Sequence, residues 1–222
     1  MPKQAAIFDM DGLLIDSEPL WHVAEVEIFG DLGVPLVRAE TRSTKGMFVD
    51  EVAAYWFDRY PWKGPPPAEV AQRIVDRVGD LVIERGVVLP GAIEAVQVMS
   101  ERGPVALASS TPHRLIEVVL RHIGLDEAFE VICSAEDEAY GKPNPAVFLT
   151  AARVIGVSPE RCCVFEDSPA GVLAAKAGKM ICVAVPEVAE RDRPEIRIAD
   201  LVLESLADLD ADAVDRLLSA DS

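Results

Sequence analysis

Two aspartates, Asp9 and Asp11, stand two residues apart where an apolar run meets a glycine, in the stretch Ile7-Phe8-Asp9-Met10-Asp11-Gly12. Residues i and i+2 of an extended chain face the same side, so a strand ending near Phe8 would deliver both carboxylates together at its carboxyl end. A pair so placed can do catalytic work at the edge where open α/β sheets hold their ligands. By itself, such a pair more often caps a turn or the next helix.

Three later stretches shift that balance. Ser109-Ser110-Thr111-Pro112 closes an apolar run just before a helix, and free N–H groups beside the Ser109 hydroxyl make a cradle suited to phosphate, although ordinary helix caps share this composition. In Gly141-Lys142-Pro143, proline biases Lys142 towards an extended conformation, from which its ammonium can pair with both an attacking carboxylate and a phosphoryl oxygen. Glu166-Asp167-Ser168-Pro169 ends another apolar run with two hard oxygen ligands of the kind Mg²⁺ prefers, again ahead of a helix. Their joint occurrence is far more specific than any one of them.

The elements that must position these groups follow from hydrophobic periodicity. Strands are expected at 4–8, 105–108, 131–133, 162–165 and 181–185, with an edge strand at 201–203. Helices are expected between them, and the spacing leaves room for parallel crossovers. Asp16-Ser17-Glu18-Pro19 reads as a helix start with a capping side chain, and Gly33 as that helix's end. Helices at 49–60 and 68–85 follow, separated by the proline-rich Pro61–Pro67. The expected architecture is an α/β Rossmann-like core with a parallel sheet, residues 1–17 and 86–222, interrupted by an all-helical cap over 18–85.

Composition narrows the partners. With 38 acidic against 21 basic residues the formal charge is −17, which disfavours nucleic acid and anionic membrane. The same charge means an anionic ligand must be held locally, by a metal, a lysine and backbone N–H groups. No apolar run approaches the ~20 residues that span a bilayer. Cys133, Cys162, Cys163 and Cys182 sit in strand-like segments without metal or disulfide spacing, so reduced buried thiols and a cytoplasmic location are expected. His22, His113 and His122 lack metal spacing and read as helix or surface residues. Tyr55, Trp56, Phe57 and Tyr60 are assigned to the cap core, and the acidic segment Asp208–Asp215 to a solvated helix face.

Asp9-Met10-Asp11-Gly12, Ser109, Lys142-Pro143 and Glu166-Asp167-Ser168 resemble, in order and spacing, the four motifs of the haloacid dehalogenase-like phosphohydrolases. The resemblance covers practically the whole chain. Asp16-Ser17-Glu18-Pro19-Leu20-Trp21 and Pro61-Trp62-Lys63-Gly64-Pro65 carry a closer likeness to small phosphatases of 2-deoxyglucose 6-phosphate and hexitol phosphates.

It implies an Mg²⁺-dependent hydrolysis of a small phosphate monoester, a sugar or polyol phosphate, in which Asp9 attacks phosphorus to form an aspartyl-phosphate. Asp11 would protonate the leaving oxygen and then activate water. Asp9, the backbone carbonyl of Asp11 and Asp167 would hold the metal, with Glu166 as a direct or outer ligand. Ser109, the Ser110 amide and Lys142 would hold phosphoryl oxygens.

Substrate choice is expected in the cap, at Ser17, Trp21, Lys45, Gly46 and Met47. Where some relatives carry an arginine to grip a second phosphate this chain has Met47-Phe48-Val49, which disfavours bisphosphate handling. Phosphoglycolate phosphatase and β-phosphoglucomutase-like mutase would share the core residues and differ in the cap. A catalytically silent binding protein would have lost one of the motif side chains, and none is missing. The protein is expected to work as a monomer on a small-molecule ester.

Overall fold

A computed structural model describes residues 4–36 and 47–220. Its centre is a six-stranded sheet of β1 (Ala5–Phe8), β2 (Val105–Ser109), β3 (Val131–Ser134), β4 (Cys162–Glu166), β5 (Ile181–Ala184) and the two-residue edge strand β6 (Leu201–Val202). The strand order is β3-β2-β1-β4-β5-β6, and every pairing is parallel. Alternate residues of β1 feed two apolar clusters, Ala6 and Phe8 on one face and Ala5 and Ile7 on the other. Burial on both faces is why the strands read as continuous apolar runs. Phe8 and Phe165, partners across β1 and β4, stack with ring centroids 4.5 Å apart.

Helices α1 (Glu18–Asp31) and α2 (Val49–Arg59) both pack on α3 (Pro67–Arg85), and all three lie between β1 and β2 in the chain. The others are α4 (Ala92–Ser100), α5 (His113–Ile123), α6 (Ala146–Ile155), α7 (Pro169–Ala177) and α8 (Ala211–Ala220). Helix α5 shows how the sheet is covered: Leu115, Ile116, Val119, Leu120 and Ile123 form one buried stripe, and Gly124 at φ +73° ends it in the left-handed conformation. Helix α3 packs on α5, so one apolar cluster runs from a sheet face into the inserted helices. The two connections to those helices run side by side, with the Asp16 N–H donating to the Val87 carbonyl and the Leu89 N–H to that of Leu14.

Three local expectations need correction. Ser17 is the N-cap of α1 by position, but its side chain makes no cap hydrogen bond; its hydroxyl donates instead to the partly buried carboxylate of Asp11. Tyr55 is 40% exposed, whereas the buried aromatic cluster includes Trp62, which donates its indole N–H to the Pro65 carbonyl and meets Phe29 and Phe57. Asp212 and Asp215 on α8 are ion-paired with Arg102 rather than merely solvated.

Candidate active site

The sheet order reverses direction between β1 and β4, and the crevice beyond a parallel sheet's carboxyl ends at such a point is where ligands bind. The Asp9 N–H still donates to the Phe165 carbonyl at 3.0 Å, so Asp9 leaves the sheet in strand register. The chain then turns tightly, the Met10 carbonyl accepting N–H groups from Leu13 and Leu14 and Gly12 adopting φ +78°. A Cβ on Gly12 would collide with the Asp167 carboxylate, so glycine is needed for both the turn and the close approach.

Lys142 joins these loops. Its buried ammonium donates to Asp9 Oδ1 at 2.6 Å, Glu166 Oε1 at 2.7 Å and the Ala108 carbonyl at 3.2 Å, 4.6 Å from the Phe148 ring centroid. Lys142 does not end a strand. It lies eight residues beyond β3, after a 3₁₀ turn at Ala135–Asp137, and only the folded loop returns it to Asp9. Burial alone would depress the ammonium, but Asp9 and Glu166 outweigh that and hold it above its ordinary value. Burial, with Glu166 and Asp11 nearby, pushes Asp9 up to about 7 against the opposing pull of Lys142.

Glu166 is fully engaged. Oε1 accepts from Lys142, and Oε2 accepts from the Ser168 N–H at 2.7 Å and its hydroxyl at 2.9 Å. Gly171, in the first turn of α7, leaves space for this carboxylate that any Cβ would fill. Ser168 also caps α7 by accepting the Gly171 N–H, so capping and site-building coexist there.

One carboxylate oxygen each from Asp9, Glu166 and Asp167 lie within 4.8 Å of one another. Six acidic side chains and one lysine line the surrounding cavity. An oxygen donor set with this excess of negative charge suits a hard divalent cation, and an anionic ester would be repelled without one.

Asp11 is held separately. Oδ1 accepts from the Ser17 hydroxyl at 2.6 Å and the Trp21 indole N–H at 3.3 Å, and Oδ2 accepts from the Thr111 hydroxyl at 2.6 Å and more distantly from Ser109 at 3.4 Å. Ser17, expected to choose substrate, is therefore buried beneath Asp11 and orients it. Trp21 lines the cavity, as a substrate contact must, but also orients Asp11. Ser109 and Ser110 both line the cavity, and the buried Ser109 hydroxyl accepts the Thr111 N–H. Thr111 is a functional donor whose one signal in the sequence is its place in the Ser-Ser-Thr run.

The cavity, about 100 Å³, is roofed by Glu18, Trp21, His22 and Glu25 of α1 and by Met47, Val49 and Val52. Lys45 and Gly46 lie outside the described residues. His22 and Glu25 are buried in this roof, a position their isolated letters did not reveal. Phe48 reaches the floor: a Cβ on Gly141, beside Lys142, would come within 2.7 Å of its ring. Away from the cavity, His113 meets Asp137 at 2.8 Å near Glu136, a cluster built from two chain segments that spacing could not foretell. The four cysteines are free and buried, and burial pushes the Cys162 thiol up to about 12.

Comparison with known proteins agrees with this geometry. Hexitol phosphatase B of Escherichia coli K12 is 44% identical over 95% of this chain and 96% of its own. Fructose-1-phosphate phosphatase YqaB of the same organism is 30% identical over 81% of this chain and 94% of its own. The crystal structure of CbbY from Rhodobacter sphaeroides in complex with phosphate superposes with a TM-score of 0.82 at 30% identity, covering 93% of this chain and 96% of CbbY. The haloacid dehalogenase-like hydrolase model matches residues 3–179, and with these relatives it places the chain in the haloacid dehalogenase-like hydrolase family.

Proposed function

We propose that the protein is an Mg²⁺-dependent phosphatase that hydrolyses a small phosphate monoester of a sugar or polyol through an aspartyl-phosphate. The observation carrying this reading is the division of labour between two neighbouring carboxyls: Asp9 is paired with Lys142, and Asp11 is held by hydroxyl and indole donors. Asp9 attacks phosphorus while Lys142 limits the repulsion between its carboxylate and the approaching anion. Asp11, aimed by Ser17, Trp21 and Thr111, gives a proton to the leaving oxygen and later takes one from water. Ser109, the Ser110 N–H and Lys142 hold phosphoryl oxygens.

Asp9, the backbone carbonyl of Asp11 and Asp167 would hold Mg²⁺, and Glu166, occupied by Lys142 and Ser168, orients the lysine beside them. When bound, the ion supplies positive charge to the phosphoryl group. Residues 18–85 act as a cap on a core of 1–17 and 86–222, and its closure excludes water. The names hexitol phosphatase and fructose-1-phosphate phosphatase, borne by relatives, support a polyhydroxy leaving group. Free buried thiols fit a cytoplasmic location, the negative charge fits a protein that avoids nucleic acid, and we read it as a monomer. No helix among the described residues is long and apolar enough to cross a membrane.

Phosphate release from a panel of hexose, hexitol and glycolate phosphates, with Mg²⁺ and with a chelator, tests this reading. Release from a sugar or polyol phosphate is expected only with the ion. Equal rates in both conditions would remove the metal assignment, and isomerised product in place of free phosphate would make the protein a mutase.

A further inference from the structure

Helix α1 carries Glu18, Trp21, His22 and Glu25 on the face that roofs the cavity, at i, i+3, i+4 and i+7. Trp21 contacts Asp11, and Glu25 lies one turn farther along, roughly 6 Å by helical rise. Glu25 is only 7% exposed, and its Oε2 is sealed without a hydrogen-bond partner among the described residues. Burial first, and then the neighbouring Glu18, push this carboxyl up to about 8, so near neutral pH it is largely protonated and can both donate and accept. An apolar residue would fill this place on a cap helix without stranding a polar atom.

We infer that Glu25 is a specificity-determining residue that hydrogen-bonds a hydroxyl of the leaving alcohol beyond the one carried by phosphorus. This deepens the phosphatase reading and rests on it. With the ester oxygen at Asp11, a polyhydroxy chain extending along α1 brings a further hydroxyl to the Glu25 carboxyl, which lines the cavity. A second phosphate arriving there would meet Glu18 and Glu25, with no lysine or arginine among the described roof residues that line the cavity. The roof therefore selects a monophosphate whose remaining groups are hydroxyls.

The test compares kcat/KM for a hexitol phosphate with that for phenyl phosphate, whose leaving alcohol has no further hydroxyl, in wild type, Glu25→Gln and Glu25→Leu, all with Mg²⁺. Glu25→Leu is expected to lower the hexitol-to-phenyl ratio by about 10- to 100-fold, chiefly through KM, while Tm holds or rises. Glu25→Gln, which keeps a donor and an acceptor, should stay within about fivefold of wild type. An unchanged ratio in Glu25→Leu overturns the inference, as does an equal fall on both substrates together with a lowered Tm, which would make Glu25 structural. Wild-type protein that releases phosphate from neither ester overturns the hydrolase reading, and this inference with it.

Discussion

The floor and the roof of the cavity handle buried charge in opposite ways. On the floor, Asp9, Glu166 and Lys142 interlock at 2.6–2.7 Å, and Glu166 spends its second oxygen on Ser168. On the roof, Glu25 is also buried but has an oxygen without a hydrogen bond among the described residues. A satisfied network fixes geometry in advance, as chemistry at phosphorus requires. An unsatisfied group stores a preference for whatever will complete it. Positioning is thus concentrated where every related substrate is the same, and selectivity where substrates differ.

The sharpest way to break this contrast is to remove the floor's nucleophile. Asp9→Asn should lower kcat by roughly a thousandfold or more while circular dichroism and thermal unfolding stay close to wild type; near-normal turnover would end the assignment. Lys142→Met comes next. It strands Asp9 and Glu166 beside each other and should cost about 3–5 kcal/mol in urea unfolding, along with activity. Stability equal to wild type would mean that the floor is not interlocked.

Smaller effects separate orientation from contact. Ser17→Ala, beneath Asp11, should lower kcat about tenfold with KM little changed, because it removes one of the donors aiming the acid–base group. A change confined to KM would return Ser17 to the substrate-choosing role.

The roof makes the most graded prediction. Unfolded, Glu25 ionises near 4.5, and folded near 8, so between those pH values the unfolded chain has lost a proton that the folded one retains. Stability contributed by this group therefore falls as pH rises through that window and is flat on either side. Relative to Glu25→Gln, wild type should lose up to about 4 kcal/mol between pH 4.5 and 8 in chemical denaturation. The raised Asp9 acts in the same direction but is common to both proteins, so it largely cancels in the comparison. A pH-independent difference would show that Glu25 is ionised in the fold.

Much of the floor was legible because its signals are local. An apolar strand followed by Asp-x-Asp-Gly, or by Glu-Asp-Ser-Pro, states the side chains, the turn and the next helix within a dozen residues. Ser17 shows where local reading fails: its position announces a helix cap, yet its hydroxyl turns to Asp11. Thr111 and His22 were opaque for the same reason, since nothing in a short window says which face of a loop or helix will be turned to the cavity.

The sequence by itself determined the alternation of buried strands and amphipathic helices, the type of each acidic or hydroxyl group at the strand ends, and the insertion of helices after β1. These follow from periodicity and turn chemistry, which act over a few residues. Tertiary structure alone decided that β1 lies between β2 and β4, that Lys142 returns across its loop to Asp9, and that Glu25 is enclosed with an oxygen unmet among the described residues. Those outcomes depend on which surfaces of distant segments bury one another, because burial sets both the partner and the protonation of a charged group.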